Sequence, residues 1–199
     1  LETSGHQAPQ NLVPIFKEAG IIWIHKCAGV RYAKKGASLG ADIVEVVSWE
    51  NGGATGPLDI GGMVLTPSTV DALDIPVIAG GGISDGRGLA AALSLGAQAA
   101  IIGTRIMATE ECPIHDNLKQ AFVDAEHIDT TIAMRSIHAT HRVWKNKATD
   151  KVLELEATGG KPEEIFAAAA GVKVRKMYEE GDLDAGMTSL GQGVGLVHD

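Results

Sequence analysis

Two cysteines in 199 residues, Cys27 and Cys112, cannot staple a chain of this length into a disulfide framework, and they point to a reducing, cytoplasmic setting. Aromatic residues are as scarce. Three Trp, two Tyr and three Phe leave little for the stacked platform that grips single-stranded nucleic acid. Positive charge is also short, with 17 Lys+Arg against 25 Asp+Glu and a formal charge of −8. That balance removes the attraction to phosphate backbones and anionic lipid, so neither nucleic acid nor membrane is an expected partner. No apolar run approaches the ~20 residues of a membrane span. The opening Leu-Glu-Thr-Ser-Gly-His has neither a basic n-region nor an apolar h-region, which excludes a signal-peptide reading. A polar, turn-forming start without Met reads instead as the interior of a longer chain.

What the chain does have is core material and glycine. Hydrophobic residues make up 45% and charged residues 21%, a globular composition rather than a disordered one. The length suits one domain, or one with an appendage. Glycine supplies 25 residues, nearly twice the usual share of about 7%. Such an excess calls for tight turns or for main chain close to a ligand.

Four short runs rich in Ile and Val, at 21–25, 42–48, 76–79 and 99–102, are too continuous for half-exposed strands and predict strands buried on both faces of a parallel sheet. Helical spacing lies between them. Residues 31–39 stop at Gly40, residues 85–95 start from Asp85 as N-cap and stop at Gly96, and 66–74 give a shorter helix. The β-α-β alternation implies right-handed crossovers. Beyond Thr109 the pattern predicts mostly helix over 113–126, 130–144 and 162–180, then a glycine-rich, loop-like tail from Gly181.

The chemistry concentrates where strands end. Pro76-Val-Ile-Ala-Gly-Gly-Gly-Ile-Ser-Asp-Gly-Arg-Gly88 runs from a strand through glycines into a helix, and Gly103-Thr104 stands just past the next strand. Amides and a hydroxyl at two successive strand ends match the phosphate site of a TIM barrel. Glycine turns that merely join strand to helix are the plain alternative for each half. A second glycine loop, Trp49-Glu-Asn-Gly-Gly-Ala-Thr-Gly56, follows the second strand, and Lys26 follows the first. Lys26 could neutralise an electron-rich cofactor atom or simply be a solvated lysine. His138 and His141 have metal-ligand spacing on a predicted helix, but with no Cys or carboxylate to complete a site they read as surface residues, and no metal is expected. Cys27 and His25 read as core residues and Cys112 as an inactive loop thiol.

Taken together, His25-Lys-Cys-Ala-Gly-Val-Arg-Tyr-Ala, the Glu50-Asn-Gly-Gly loop, Pro76-Val-Ile-Ala-Gly-Gly-Gly-Ile and Leu95-Gly-Ala…Ile-Gly-Thr-Arg-Ile-Met-Ala-Thr-Glu-Glu-Cys-Pro-Ile-His resemble the nitronate monooxygenase (2-nitropropane dioxygenase) family. Arg142-Val-Trp-Lys-Asn and Gly181-Asp-Leu-Asp-Ala-Gly extend the likeness over essentially the whole chain. The resemblance implies an α/β fold, a (β/α)8 TIM barrel that binds FMN. Only about the second half of it, four parallel strands plus a helical insertion, would be present. Residues 1–110 would be the half barrel, 111–180 the mostly helical insertion and 181–199 a return segment to the flavin. It further implies that Gly80, Gly81, Gly82, Gly103 and Thr104 hold the FMN phosphate. Lys26 and Gly52 would lie along the flavin, and Gln192 would close over it.

One departure bears on mechanism. Family members with the loop Glu-x-Gly-Gly-His use that His on the substrate, whereas Ala54 stands there in this sequence and can move no proton. No catalytic residue is assigned. Oxidation of preformed alkyl nitronates with dioxygen survives the change. So does the alternative, an NAD(P)H:quinone or enoyl reductase with NAD(P)H as reductant and a quinone or enoyl compound as small-molecule substrate. A non-catalytic half-barrel that binds phosphate or a partner is a third reading. Four strands alone would leave an apolar face uncovered, from which self-association into a homo-oligomer is expected.

Overall fold

The structure, a computed structural model, describes residues 1–5 and 7–198, apart from the side chain of Val172. In chain order the elements begin β1 (Glu2–Ser4), α1 (Val13–Glu18), β2 (Ile24–Cys27), α2 (Val30–Ser38), β3 (Ile43–Val47) and β4 (Gly53–Ala54). They continue with α3 (Gly62–Val70), β5 (Val77–Gly80), α4 (Gly86–Ser94) and β6 (Ala99–Ile101). The remainder is α5 (Thr104–Met107), α6 (Asp116–Asp124), β7 (Thr130–Ala133), β8 (His141–Trp144), α7 (Lys147–Ala157), α8 (Pro162–Ala169), α9 (Val172–Glu180) and a 3₁₀ turn, Gln192–Leu196. Two compact units result: Leu1–Glu50 with Leu58–Ile101, and Asn51–Pro57 with Ile102–Asp199.

In the first unit, β1, β2, β3, β5 and β6 form one parallel sheet in that order. Strand and helix alternate as in a (β/α)8 TIM barrel. Each of the four Ile/Val runs becomes a strand, and β1 adds a fifth. Its Glu-Thr-Ser sequence carries no apolar signal. Thr3 instead fixes it through polar contacts: the indole Nε1 of buried Trp23 donates to Thr3 Oγ1 at 2.8 Å, and His25 Nδ1 lies 3.1 Å from the same oxygen.

Alternate strand residues Cys27, Val44, Val46 and Val77 pack with Ala33 of α2 and Leu65 of α3. Burying each larger aliphatic side chain stabilises the fold by roughly 1.5–3 kcal/mol. The helix ends follow their chemistry. Asp85 caps α4, accepting from the amides of Arg87 and Gly88, and Gly40 and Gly96 follow α2 and α4 with φ of +96° and +94°. Helix α3 starts four residues earlier than the expected 66, because both Glu50 carboxylate oxygens accept from the Gly62 amide and secure its first turn.

The second unit departs more from expectation. Residues 130–144 form no helix; β7 and β8 pair antiparallel there, with β4 on the other side of β8. Met134 and His138 take φ of +62° and +58°, which no α-helix accommodates, and Ala139 N donates back to Met134 O at 3.0 Å. Residues 162–180 form two helices, because Ala170 turns extended at ψ 129°. The core gathers Leu118, Phe122, Met177, Leu190 and Val194, with Phe122 edge-on to Trp144 at 5.7 Å. The tail is ordered by the 3₁₀ turn and by a bridge from Ser189 to Val143.

Candidate functional site

Parallel pairing brings the C-terminal ends of β2, β3, β5 and β6 to one edge of the first unit's sheet. At β5 this edge is glycine for steric reasons that can be named. A Cβ on Gly80 would fall 2.5 Å from Ile101 Cγ2. Gly81 and Gly82 have φ of +96° and +73°, and a Cβ on Gly82 would also crowd Glu50 Cβ at 3.1 Å. The turn therefore presents main chain rather than side chain. The α4 N-terminus behind it is already occupied by the Asp85 carboxylate. Ser48, at the end of β3, is 1% exposed, yet its hydroxyl meets no hydrogen-bond partner among the described residues.

Lys26 lies inside β2 rather than after it, on the sheet face opposite Cys27. Its Nζ is 2.8 Å from Glu2 Oε1 and 3.5 Å from Glu45 Oε1. Burial would lower the Lys26 pKa, but the hydrogen bond to Glu2 and the charges of Glu45 and Glu2 outweigh it, and the net direction is upward. Glu45, with 2% exposure, has its carboxyl pushed up by burial, opposed by the Lys26 charge. The ammonium is thus balanced by two carboxylates of its own unit. Sequence reasoning missed Glu45, although a lone acid inside an Ile/Val run was a usable signal.

In the second unit three of the expected residues converge. Gly191, which precedes Gln192, donates its amide to Thr104 Oγ1 at 3.0 Å. A Cβ on Gly52 would lie 2.7 Å from that same Gly191 nitrogen. Gly52, Thr104 and the start of the Gln192 turn are therefore neighbours. Gln192 is half-buried at the first position of the 3₁₀ turn. Gly103 is exposed, and a Cβ there would meet nothing within 4 Å.

Ala54 is exposed in β4 and sits directly opposite His141 of β8. His138 is exposed in the turn before β8, so the two histidines share no helix face. His25 is 1% exposed and its pKa is lowered by burial, a core histidine as expected. Cys27 is 3% exposed, and burial pushes its thiol up to about 12, which leaves it unreactive. Asn146 closes the Arg142-Val-Trp-Lys-Asn motif. It caps α7 through Thr149 N, and its amide donates to Leu183 O and Gly186 O, both at 2.8 Å.

A family model described as nitronate monooxygenase matches residues 3–199. A (3aS,4S,5R,7aS)-5-hydroxy-7a-methyl-1-oxo-octahydro-1H-indene-4-carboxyl-CoA dehydrogenase of Rhodococcus jostii (strain RHA1) is 40% identical over 168 residues, covering 84% of this chain and 46% of that protein. A probable nitronate monooxygenase of Bacillus subtilis (strain 168) is 37% identical over 131 residues, 62% of this chain and 38% of that protein. Among solved structures, FabK from Thermotoga maritima superposes with a TM-score of 0.91 at 32% identity, over 100% of this chain and 62% of that chain. The chain thus spans less than half the length of these two sequence relatives. No helix among the described residues is long and apolar enough to cross a membrane. With nearly every residue inside the family match, this chain belongs to the nitronate monooxygenase family.

Proposed function

We propose that the protein to which this chain belongs is an FMN-dependent oxidoreductase that oxidises alkyl nitronates with dioxygen. The observation that carries the reading is the family match across residues 3–199. The residues present fit a phosphate-bearing flavin. The Gly81 and Gly82 turn offers main chain without side-chain bulk, and Ser48 holds a buried hydroxyl with no partner among the described residues. Bound FMN would supply the redox chemistry that no side chain here provides.

On this reading Gly80, Gly81, Gly82, Gly103 and Thr104 bind the phosphate, Lys26 and Gly52 lie along the flavin, and Gln192 closes over it. Thr104 Oγ1 accepts from Gly191, and its own hydroxyl proton remains to be donated. Lys26 is steadied by Glu2 and Glu45, so its contribution is a positioned donor more than a net charge. A nitronate arrives already deprotonated, and Ala54 is no obstacle to its oxidation. Anaerobic mixing of the FMN-loaded protein with propionate-3-nitronate should bleach the flavin absorbance. An unchanged spectrum would overturn this reading.

A second reading is favoured by the 40% identity to a dehydrogenase whose name specifies an acyl-CoA. Here the substrate is a small hydroxy- or enoyl-thioester, and NAD(P)H is the alternative reductant. Bleaching by NADH, NADPH or a hydroxyacyl-CoA, with indifference to nitronate, would select it. Met63 and Val64 are 70% and 62% exposed on α3, which supports self-association into a homo-oligomer; a monodisperse monomer in sedimentation would contradict it.

A further inference from the structure

Strand β4 consists of Gly53 and Ala54 and brings no ionisable group to its surroundings. Directly across the ladder, the register partner of Ala54 is His141, the first residue of β8. Opposed residues of an antiparallel pair project from the same face, with Cβ atoms roughly 4.5–5.5 Å apart. The imidazole therefore stands beside the Ala54 methyl group, where a larger side chain at 54 would contest the space. Ala54 is exposed and His141 half-buried, so the alanine leaves the ring partly open to solvent.

The ring is also oriented. His141 Nδ1 lies 2.6 Å from the carbonyl oxygen of Ala139. A carbonyl oxygen only accepts, so Nδ1 carries the proton and Nε2 of the neutral ring presents a lone pair. One nitrogen pinned and the other basic is the arrangement a general base needs. The position is continuous with the cluster described above. Gly53 pairs with Arg142, Gly52 abuts Gly191, and Gly191 donates to Thr104. His138 has none of this; it lies in the turn at φ +58°, outside the ladder.

We propose that His141 is the proton acceptor of this site. The proposal rests on the nitronate reading above, with nitroalkanes as the substrate class. In the step, the α C–H bond breaks and its electron pair moves onto the nitro group to give the nitronate. The proton goes to His141 Nε2, forming the imidazolium. Nothing is oxidised, and no co-reactant is needed.

Exchange of the α-protons of nitroethane into D2O, followed anaerobically by proton NMR on the FMN-loaded protein, reads this step apart from oxidation. The wild-type protein should accelerate the exchange, and His141→Gln should lose ~10²–10⁴-fold of that acceleration. Turnover of nitroethane should fall relative to ethylnitronate in the same variant. Adding Ala54→His to His141→Gln supplies an imidazole from the opposing strand and should restore exchange, which guards against a merely misfolded single variant. Exchange at the wild-type rate in His141→Gln overturns the proposal, as does a wild-type protein that fails to accelerate exchange. Wild-type exchange without oxidation of nitroethane or ethylnitronate would overturn the functional reading while upholding His141 as the base.

Discussion

Thr104 Oγ1 accepts a hydrogen bond from the Gly191 amide at 3.0 Å, and 87 residues of chain lie between them. The bond ties the start of α5 to the entry of the 3₁₀ turn, with Gly52 wedged against the same nitrogen. Thr104→Val preserves shape but strands the buried Gly191 donor, at a cost of about 1–3 kcal/mol. Thr104→Ser keeps the acceptor and most of the stability. Urea midpoints of the two variants check this, and equal midpoints would contradict it.

Gly52 and Gly103 should respond unequally to the same substitution. A Cβ at 52 meets backbone, Gly191 N at 2.7 Å and Leu190 C at 2.8 Å. Backbone cannot rotate aside, so Gly52→Ala should cost about 1–3 kcal/mol. Gly103 has open space and a φ of −109°. Gly103→Ala should stay within about 0.5 kcal/mol of the parent. Thermal unfolding of the pair measures the contrast.

Asn146 serves three backbone groups at once. Its Oδ1 accepts from Thr149 N at 2.9 Å, and its amide nitrogen donates to Leu183 O and Gly186 O. Asn146→Ala should cost about 2 kcal/mol, the upper end of an N-cap loss. Asn146→Asp keeps the cap and loses both donor bonds, so it should fall between parent and alanine variant. An aspartate variant as stable as the parent would assign the whole effect to the cap.

Glu45 gives a pH dependence whose sign is fixed. Its folded pKa lies above the ordinary 4.5, first because of burial and despite the Lys26 charge. The folded chain therefore holds this proton more tightly than the unfolded chain does. Stability from this residue is present below pH 4.5 and falls as pH rises through the folded value. Glu45→Gln should remove that fall, flattening stability against pH on the acid side of neutrality. Denaturation midpoints measured across that range check it; parallel profiles for parent and variant would refute it.

The two thiols should separate by accessibility. Cys27 is buried with its pKa near 12, whereas Cys112 is only half-buried. Mass spectrometry after brief alkylation under native conditions should find the label on Cys112 and not on Cys27.

Much of the first unit was legible because its strands are buried on both faces, so Ile and Val accumulate where β2, β3, β5 and β6 form. Asp85, Gly40 and Gly96 announced helix ends by local chemistry that tertiary context did not override. β1 was invisible, since Thr3 earns its place through Trp23 and His25 rather than through apolar burial. Residues 130–144 misled because Ile132, Ala133, Met134 and Ile137 fall at helical spacing while the β-branched Thr130, Thr131 and Ile132 favour strand. Only the positive φ at Met134 and His138, which sequence does not reveal, decided between them. Of the site, the glycine turns were readable. The partnership of Ala54 with His141 was not, because register across a long intervening chain leaves no local trace.

β4 has a consequence in time. Asn51–Pro57 is flanked on both sides by the first unit but belongs to the second, and its partner strand β8 leaves the ribosome much later. The pairings among β1, β2, β3, β5 and β6 can form once Ile101 has emerged, before β8 is available to the 51–57 loop. Capturing that loop is a long-range closure, slow by its sequence separation, and it sets Gly52 against Gly191 and Ala54 against His141. On the reading proposed above, the pairing that presents His141 therefore forms after the strands of the parallel sheet have all emerged. A fault in β8 would break the pairing with β4 and leave the pairings of the parallel sheet in place.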